Sequence, residues 1–210
     1  MNPCHFDVLH ALTIKGMAQP GALAVTAGQG QDDVLCELDR LRQDGYAVHL
    51  ERRGSWRVTP EGRDRHAELL ADDTPAPARD RLHPAYDRFL PLNQRFKGLC
   101  TRWQVRGGAP NDHTDSDHDA AVIAELSELH AEAEPVLGEL AEVRDRFARY
   151  GERLTGALGR LRAGEANAFT GVLCDSYHDV WMELHRDLLL SLRLDRSEEE
   201  ARQASAGVGR

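Results

Sequence analysis

Apolar residues recur at helical spacing through the first 45 positions and then switch to alternation. Val8, Leu9, Leu12 and Ile14 predict a short helix ending near Gly16, whose missing side chain permits a left-handed cap. Pro20 suits the first turn of a second helix, with Leu23, Ala24 and Ala27 as a small apolar face before Gly28. Val34, Leu38 and Leu41, spaced four and three apart, predict a third helix from about Gln31 to Asp44, ended by Gly45. Then Tyr46, Val48 and Leu50 point one way, Arg52-Arg53-Gly54 offers a turn, and Trp56 and Val58 return, which describes a short hairpin. Thr59-Pro60-Glu61-Gly62 starts another helix, with Thr59 capping free amides and Pro60 in the first helical position. Residues 5–70 therefore read helix, helix, helix, hairpin, helix.

Across 71–83, ADDTPAPARDRLH, the apolar period stops and two prolines disfavour helix before each, so this stretch reads as a linker. Residues 84–196 read as helical, with no strand. Tyr86, Phe89, Leu90, Phe96, Leu99, Cys100 and Trp103 form one stripe, with a kink expected at Pro91. A polar loop, RGGAPNDHTDSDHD, follows. Ser116 with Asp119 resembles a capping box opening a helix whose face includes Val122, Leu126, Leu129, Ala133, Leu137 and Leu140, with Pro135 bending it. Val143, Phe147, Tyr150, Leu154, Leu158 and Leu161 continue the period, and Gly151 is the expected break. A last helix from about Asp175 to Leu194 puts Tyr177, Trp181, Leu184, Leu188 and Leu192 on one stripe, and the polar tail 197–210 is expected to fray. The fold class is thus mainly α, in two parts.

Composition narrows the function classes. The 210 residues are 41% hydrophobic and 29% charged, the balance of a soluble globular protein, and the net charge of −9 excludes a uniformly basic nucleic-acid coat. Residues 1–70 carry 8 basic against 10 acidic side chains and the rest 18 against 25, so most of the acidity lies in the second part. Cys4, Cys36, Cys100 and Cys174 form no Cys-x-x-Cys pair, which excludes a zinc ribbon or thioredoxin-type motif and reads as reduced thiols. No apolar run is long enough to span a bilayer and the first 30 residues show no signal-peptide pattern, from which a cytoplasmic location is expected.

Three stretches, ALAVTAG, VLCELDRLRQDGYAV and WRVTPEGR, resemble the winged helix-turn-helix domain of MarR-like bacterial transcription regulators, over about 60 residues within 5–70. The resemblance implies a recognition helix entering the major groove and a wing beside the phosphates. On these elements Gln29, Gln31 and Arg40 would face the bases, glutamine being suited to adenine, and Arg52, Arg53 and Arg57 the phosphates or the minor groove. Asp32 and Asp33 favour the positive end of the helix but repel phosphates. The partners implied are duplex DNA and a second copy of the chain, the helical part serving as effector and dimerisation domain. The alternative is a protein-interaction adaptor whose winged helix docks a partner protein and reads no DNA.

The helical part holds two candidate sites. His178, Trp181 and His185 are spaced three and four apart beside Tyr177, so each imidazole either meets a core partner or faces a ligand cavity. With Arg102, Trp103 and Arg106 they would wall a pocket for a small anion or aromatic acid. Asp112, His113 and Asp117 are potential ligands for a divalent metal ion, against a reading as a solvated, capped turn. The cofactor expectation is therefore a small-molecule effector first and a metal second. No Gly-x-Ser-x-Gly elbow, phosphate-cradling glycine loop or His-Glu-x-x-His pair is present, and no enzymatic activity is expected.

Overall fold

The computed structural model describes residues 3–172 and 174–194, so the tail 197–210 and the end of the helical part at 195–196 lie outside the described residues. The chain is mainly helical and divides into two compact units between Pro77 and Ala78. Among the described residues no helix is long and apolar enough to cross a membrane.

The first unit runs α1 (Pro3–Lys15), β1 (Met17–Ala18), α2 (Pro20–Ala27), α3 (Gln31–Gln43), β2 (Ala47–Leu50), β3 (Ser55–Val58) and α4 (Pro60–Asp73). Its local signals act as expected from the sequence. Gly28 ends α2 with φ 63°, and Gly45, at φ 80°, lets the Tyr46 amide reach back to the Leu41 carbonyl at 2.8 Å beyond the end of α3. Thr59 Oγ1 accepts from the Gly62 amide at 3.0 Å, and Pro60 occupies the first helical position of α4. Leu9, Leu12, Leu23, Val34, Leu38, Leu41, Trp56 and Val58 fill the core.

The hairpin differs from its sequence reading in two ways. Ala47 pairs with Val58 and His49 with Trp56, so the inward set is Ala47, Trp56 and Val58, while Val48 and Leu50 are half-buried. Tyr46 lies before the strand, and alanine at 47 is too small to signal an inward position. A third strand, β1, pairs Met17 with Arg57 and Ala18 with Trp56, giving an antiparallel sheet in the order β1-β3-β2. Two residues cannot show a period in the sequence.

The stretch 71–83 is helical rather than an irregular linker. Helix α4 continues to Asp73 and α5 (Ala76–Gln104) starts three residues later. Pro77 falls in the first turn of α5, where its missing amide has no helical partner to lose. Helix α5 also runs unbroken through Pro84 and Pro91, and α6 (Ser116–Val143) through Pro135. All three prolines are exposed, so the carbonyls they leave unpaired face water.

The second unit continues with β4 (Val105–Arg106), β5 (Ala109–Pro110), α6, a single 3₁₀ turn at Asp145–Phe147, α7 (Ala148–Arg162), α8 (Asn167–Thr170) and α9 (Tyr177–Leu192). The β4–β5 hairpin, absent from the sequence reading, closes on Gly107 and Gly108 at φ 58° and 83°, the two positive dihedrals that a tight two-residue turn requires. The cap of α6 is Asp115 rather than Ser116, its carboxylate accepting from the Asp117 and His118 amides. The break expected at Gly151 lies instead at Arg144, where the backbone turns extended, and α7 passes through Gly151. Helix α7 packs on α6 and on α9, and Phe89, Phe96, Leu126, Phe147, Leu154, Phe169, Trp181 and Leu188 form the shared core.

Candidate functional site

In the first unit the exposed residues of α3 lie opposite its buried stripe of Val34, Leu38 and Leu41. Gln31, Asp32, Leu35 and Cys36 lie in its first half, all exposed, and among the described residues the side chains of Gln31 and Asp32 make no hydrogen bond or ion pair. The cap residue is Gly30, with no side-chain cap, so Asp32 and Asp33 stabilise the helix through its positive end alone.

Two residues expected to face a ligand from this helix are otherwise engaged. Gln29 is half-buried in the turn before α3 and donates its amide to Asp7 at 3.1 Å. Arg40 turns to Glu37 at 3.1 Å, and Glu37, its side chain only 1% exposed, also bonds His5 Nδ1 at 2.7 Å. These three groups line an open cleft of about 270 Å³ between α1, α3 and α4, with Asp44 and Arg65 on its other walls. Most of its charges are paired: Glu37 meets His5 and Arg40, and Arg65 bonds Glu68 beside the cleft at 2.9 Å.

The hairpin arginines are different. Arg52 and Arg53 sit exposed in the turn between β2 and β3, and Arg57 is exposed on β3 opposite Met17. None of the three is paired with a carboxylate among the described residues; Arg53 rests on the Met17 sulfur at 3.8 Å. Three unpaired guanidinium groups on one hairpin make a local positive surface in a chain of net charge −9.

The second unit does not assemble the expected aromatic pocket. Trp181 and Tyr177 are fully buried and in ring contact with Phe96, at 4.8 and 5.6 Å between centroids, so they fill the core rather than wall a cavity. The Trp181 indole donates to Asn93 Oδ1 at 3.0 Å, a partner 88 positions away that the helical period does not reveal. His185 is buried against Phe89, whereas His178 is half-exposed beside Phe96. Trp103 is buried between His113 and Phe169. Arg102 makes a two-pronged pair with Glu125 at 2.6 and 2.8 Å, and Arg106 pairs with Asp115, so both guanidinium groups are spent on surface carboxylates.

The proposed metal ligands do not converge either. Asp112 accepts from the Thr114 amide and hydroxyl, which holds its carboxyl below the usual range, while His113 bonds Asp119 at 2.9 Å and Asp117 is exposed. Among the described residues no group of three His, Cys, Asp or Glu side chains is placed to hold a metal ion. The segment is a capped turn: Asn111 donates to the Trp103 carbonyl and to Asp119, tying the hairpin to the start of α6.

Buried charge in this unit serves packing. Arg146 bonds Asp187 at 3.3 Å and Ser191 at 2.7 Å, and the Tyr150 hydroxyl donates to Asp187 at 3.1 Å. Burial first, and then the Asp187 carboxylate, hold the Tyr150 phenol well above its usual range. Arg153 pairs with Asp175 and with Glu183. These residues pin α9 to the start of α7.

No family model, curated protein or solved structure matches the chain. The residues themselves carry the functional argument. Of the positions singled out from sequence, Gln31, Arg52 and Arg57 lie exposed in one unit without a hydrogen-bond or ion-pair partner among the described residues, and Arg53 is exposed there with only the Met17 sulfur beside it.

Proposed function

We propose that the first unit is a winged helix-turn-helix module that binds duplex DNA, and that the chain is a cytoplasmic transcription regulator acting as a homodimer. Helix α3 enters the major groove and the β2–β3 hairpin lies along the phosphates. The observation that carries the reading is the set Arg52, Arg53 and Arg57, exposed on the hairpin and free of carboxylate partners. The element order, with three helices, a hairpin on a three-stranded sheet and a closing helix, supports it. The second unit supplies the dimer contact that spaces two α3 helices about one DNA turn apart. An effector acts by preferring one dimer geometry, shifting the population towards or away from the DNA-competent form.

A second reading rests on one observation: Asp32 and Asp33 stand exposed beside Leu35 on the same helix, a mixed acidic and apolar surface that suits a basic protein partner. Salt titration separates the two. Each phosphate contact contributes about 0.9 to the slope of log affinity against log salt, so three contacts give about 2.7, or roughly 40-fold over a fourfold rise in salt. Replacing Arg52, Arg53 and Arg57 together by alanine is expected to weaken binding to every duplex and flatten the slope by about that amount. An unchanged slope, or no duplex binding by the unaltered chain at low salt, overturns the proposal in favour of the adaptor.

A further inference from the structure

We infer that α3 reads the exposed amino group of cytosine through Asp32, rather than guanine through a cation; the inference rests on the DNA reading above. In the major groove each base pair shows a distinct pattern: guanine offers two acceptors, usually met by arginine or lysine, cytosine offers an amino donor, and thymine a methyl group. The first half of α3 holds no cation. Its exposed side chains are Gln31, Asp32, Asp33, Leu35 and Cys36, and the first arginine, Arg40, is turned to Glu37. The usual guanine contact therefore has no donor on this part of the helix.

What the face does hold fits the opposite code. Asp32 is exposed and its carboxylate has no hydrogen-bond or ion-pair partner, so it can accept from the cytosine N4 amino group without breaking anything. On a 100° helical wheel it points away from the buried stripe of Val34, Leu38 and Leu41, whereas Asp33 lies to the Glu37 side. Leu35, 39% exposed, lies about 4.5 Å further along the axis, one to two base steps away, where an apolar side chain meets a thymine methyl. A carboxylate at this place repels phosphates, and the three hairpin arginines supply the compensating attraction. Attraction and base choice are thereby assigned to different elements: Arg52, Arg53 and Arg57 hold any duplex, and Asp32 rejects those lacking a cytosine amino group at one position.

The test uses the full chain and a duplex enriched from a random pool. That duplex is remade with N4-methylcytosine, or with 7-deazaguanine, at its invariant C·G pair. N4-methylcytosine is expected to weaken binding about tenfold and 7-deazaguanine by less than about twofold, as the loss of one specific contact on one base only. In Asp32→Ala, which removes the acceptor, the same methyl group should no longer discriminate, while affinity for unrelated duplexes rises. Asp32 is exposed and makes no hydrogen bond or ion pair among the described residues, so this variant should lose only the small contribution of its charge at the helix end. A duplex that binds but loses affinity with 7-deazaguanine and not with N4-methylcytosine overturns the assignment of Asp32 and leaves the DNA reading standing. Failure to enrich any duplex overturns both.

Discussion

Gly62 sits where the backbone leaves no room for a side chain. A Cβ added there would lie 2.1 Å from the Tyr46 carbonyl oxygen and 2.9 Å from Val58 Cγ2, against the 3.4 Å at which ordinary contact begins. The overlap of 1.3 Å with a backbone atom has no side-chain rotation to relieve it, so the start of α4 must move off the Tyr46 backbone that leads into β2. That motion breaks the Thr59 amide to Tyr46 carbonyl bond of 3.0 Å and the Thr59 hydroxyl to Gly45 carbonyl bond of 2.7 Å. Two hydrogen bonds contribute about 1 kcal/mol each and the displaced packing about 1–3, while alanine returns about 1 through helix propensity. Gly62→Ala is therefore expected to destabilise the unit by about 2–4 kcal/mol. Gly21→Ala is the control in the same unit: its Cβ would meet nothing closer than Gln31 Oε1 at 3.6 Å, and its effect should stay within about 1 kcal/mol. Amide hydrogen exchange resolved by peptide reads each unit separately in the full chain, and protection over α1 and α4 should fall in Gly62→Ala alone. Equal protection in the two variants would refute the close approach of α4 to β2.

Two further outcomes concern the second unit. Asp187→Ala removes the carboxylate that meets the buried Arg146 guanidinium and should cost about 3–5 kcal/mol in urea melts, whereas Arg146→Met with Asp187→Leu should recover much of that loss, and a double variant as unstable as the single would contradict the buried-pair account. His130 is held below its ordinary value of 6.5, first by burial, with Arg162 adding to the shift and Glu134 opposing it. Its folded form thus binds a proton less readily than the unfolded chain, so stability is complete above the unfolded value and falls as pH drops towards the folded one, by at most about 1.4 kcal/mol per pH unit. His130→Gln should reduce that fall, and superimposable pH profiles would rule out the contribution.

What was legible in the sequence was local. The caps at Gly28, Gly45 and Thr59 act between residues a few positions apart, and the apolar stripes of α3 and α9 follow a period that can be counted. The inverted hairpin was not legible, because Val48 and Leu50 are larger than the inward Ala47 yet face partly outward. Partnerships across the fold were invisible for a different reason. Arg146 meets Asp187 41 positions away, and Arg102 meets Glu125 23 positions away, so no spacing rule announces that these charges are already satisfied. The arginines and rings that would wall an effector pocket show this: Arg102 and Arg106 meet carboxylates, and Tyr177 and Trp181 pack on Phe96. The hairpin arginines were legible as a surface because Arg52 and Arg53 sit in a short turn and Arg57 on the outward side of its strand, and none meets a carboxylate among the described residues.

The central claim is that the first unit binds duplex DNA, and selection from a random duplex pool with the full chain at moderate salt tests it most directly. The account predicts enrichment of a single motif in two half-sites about 10 base pairs apart, as two α3 helices related by a dimer axis require. A pool that stays random at salt low enough for non-specific contacts would contradict it.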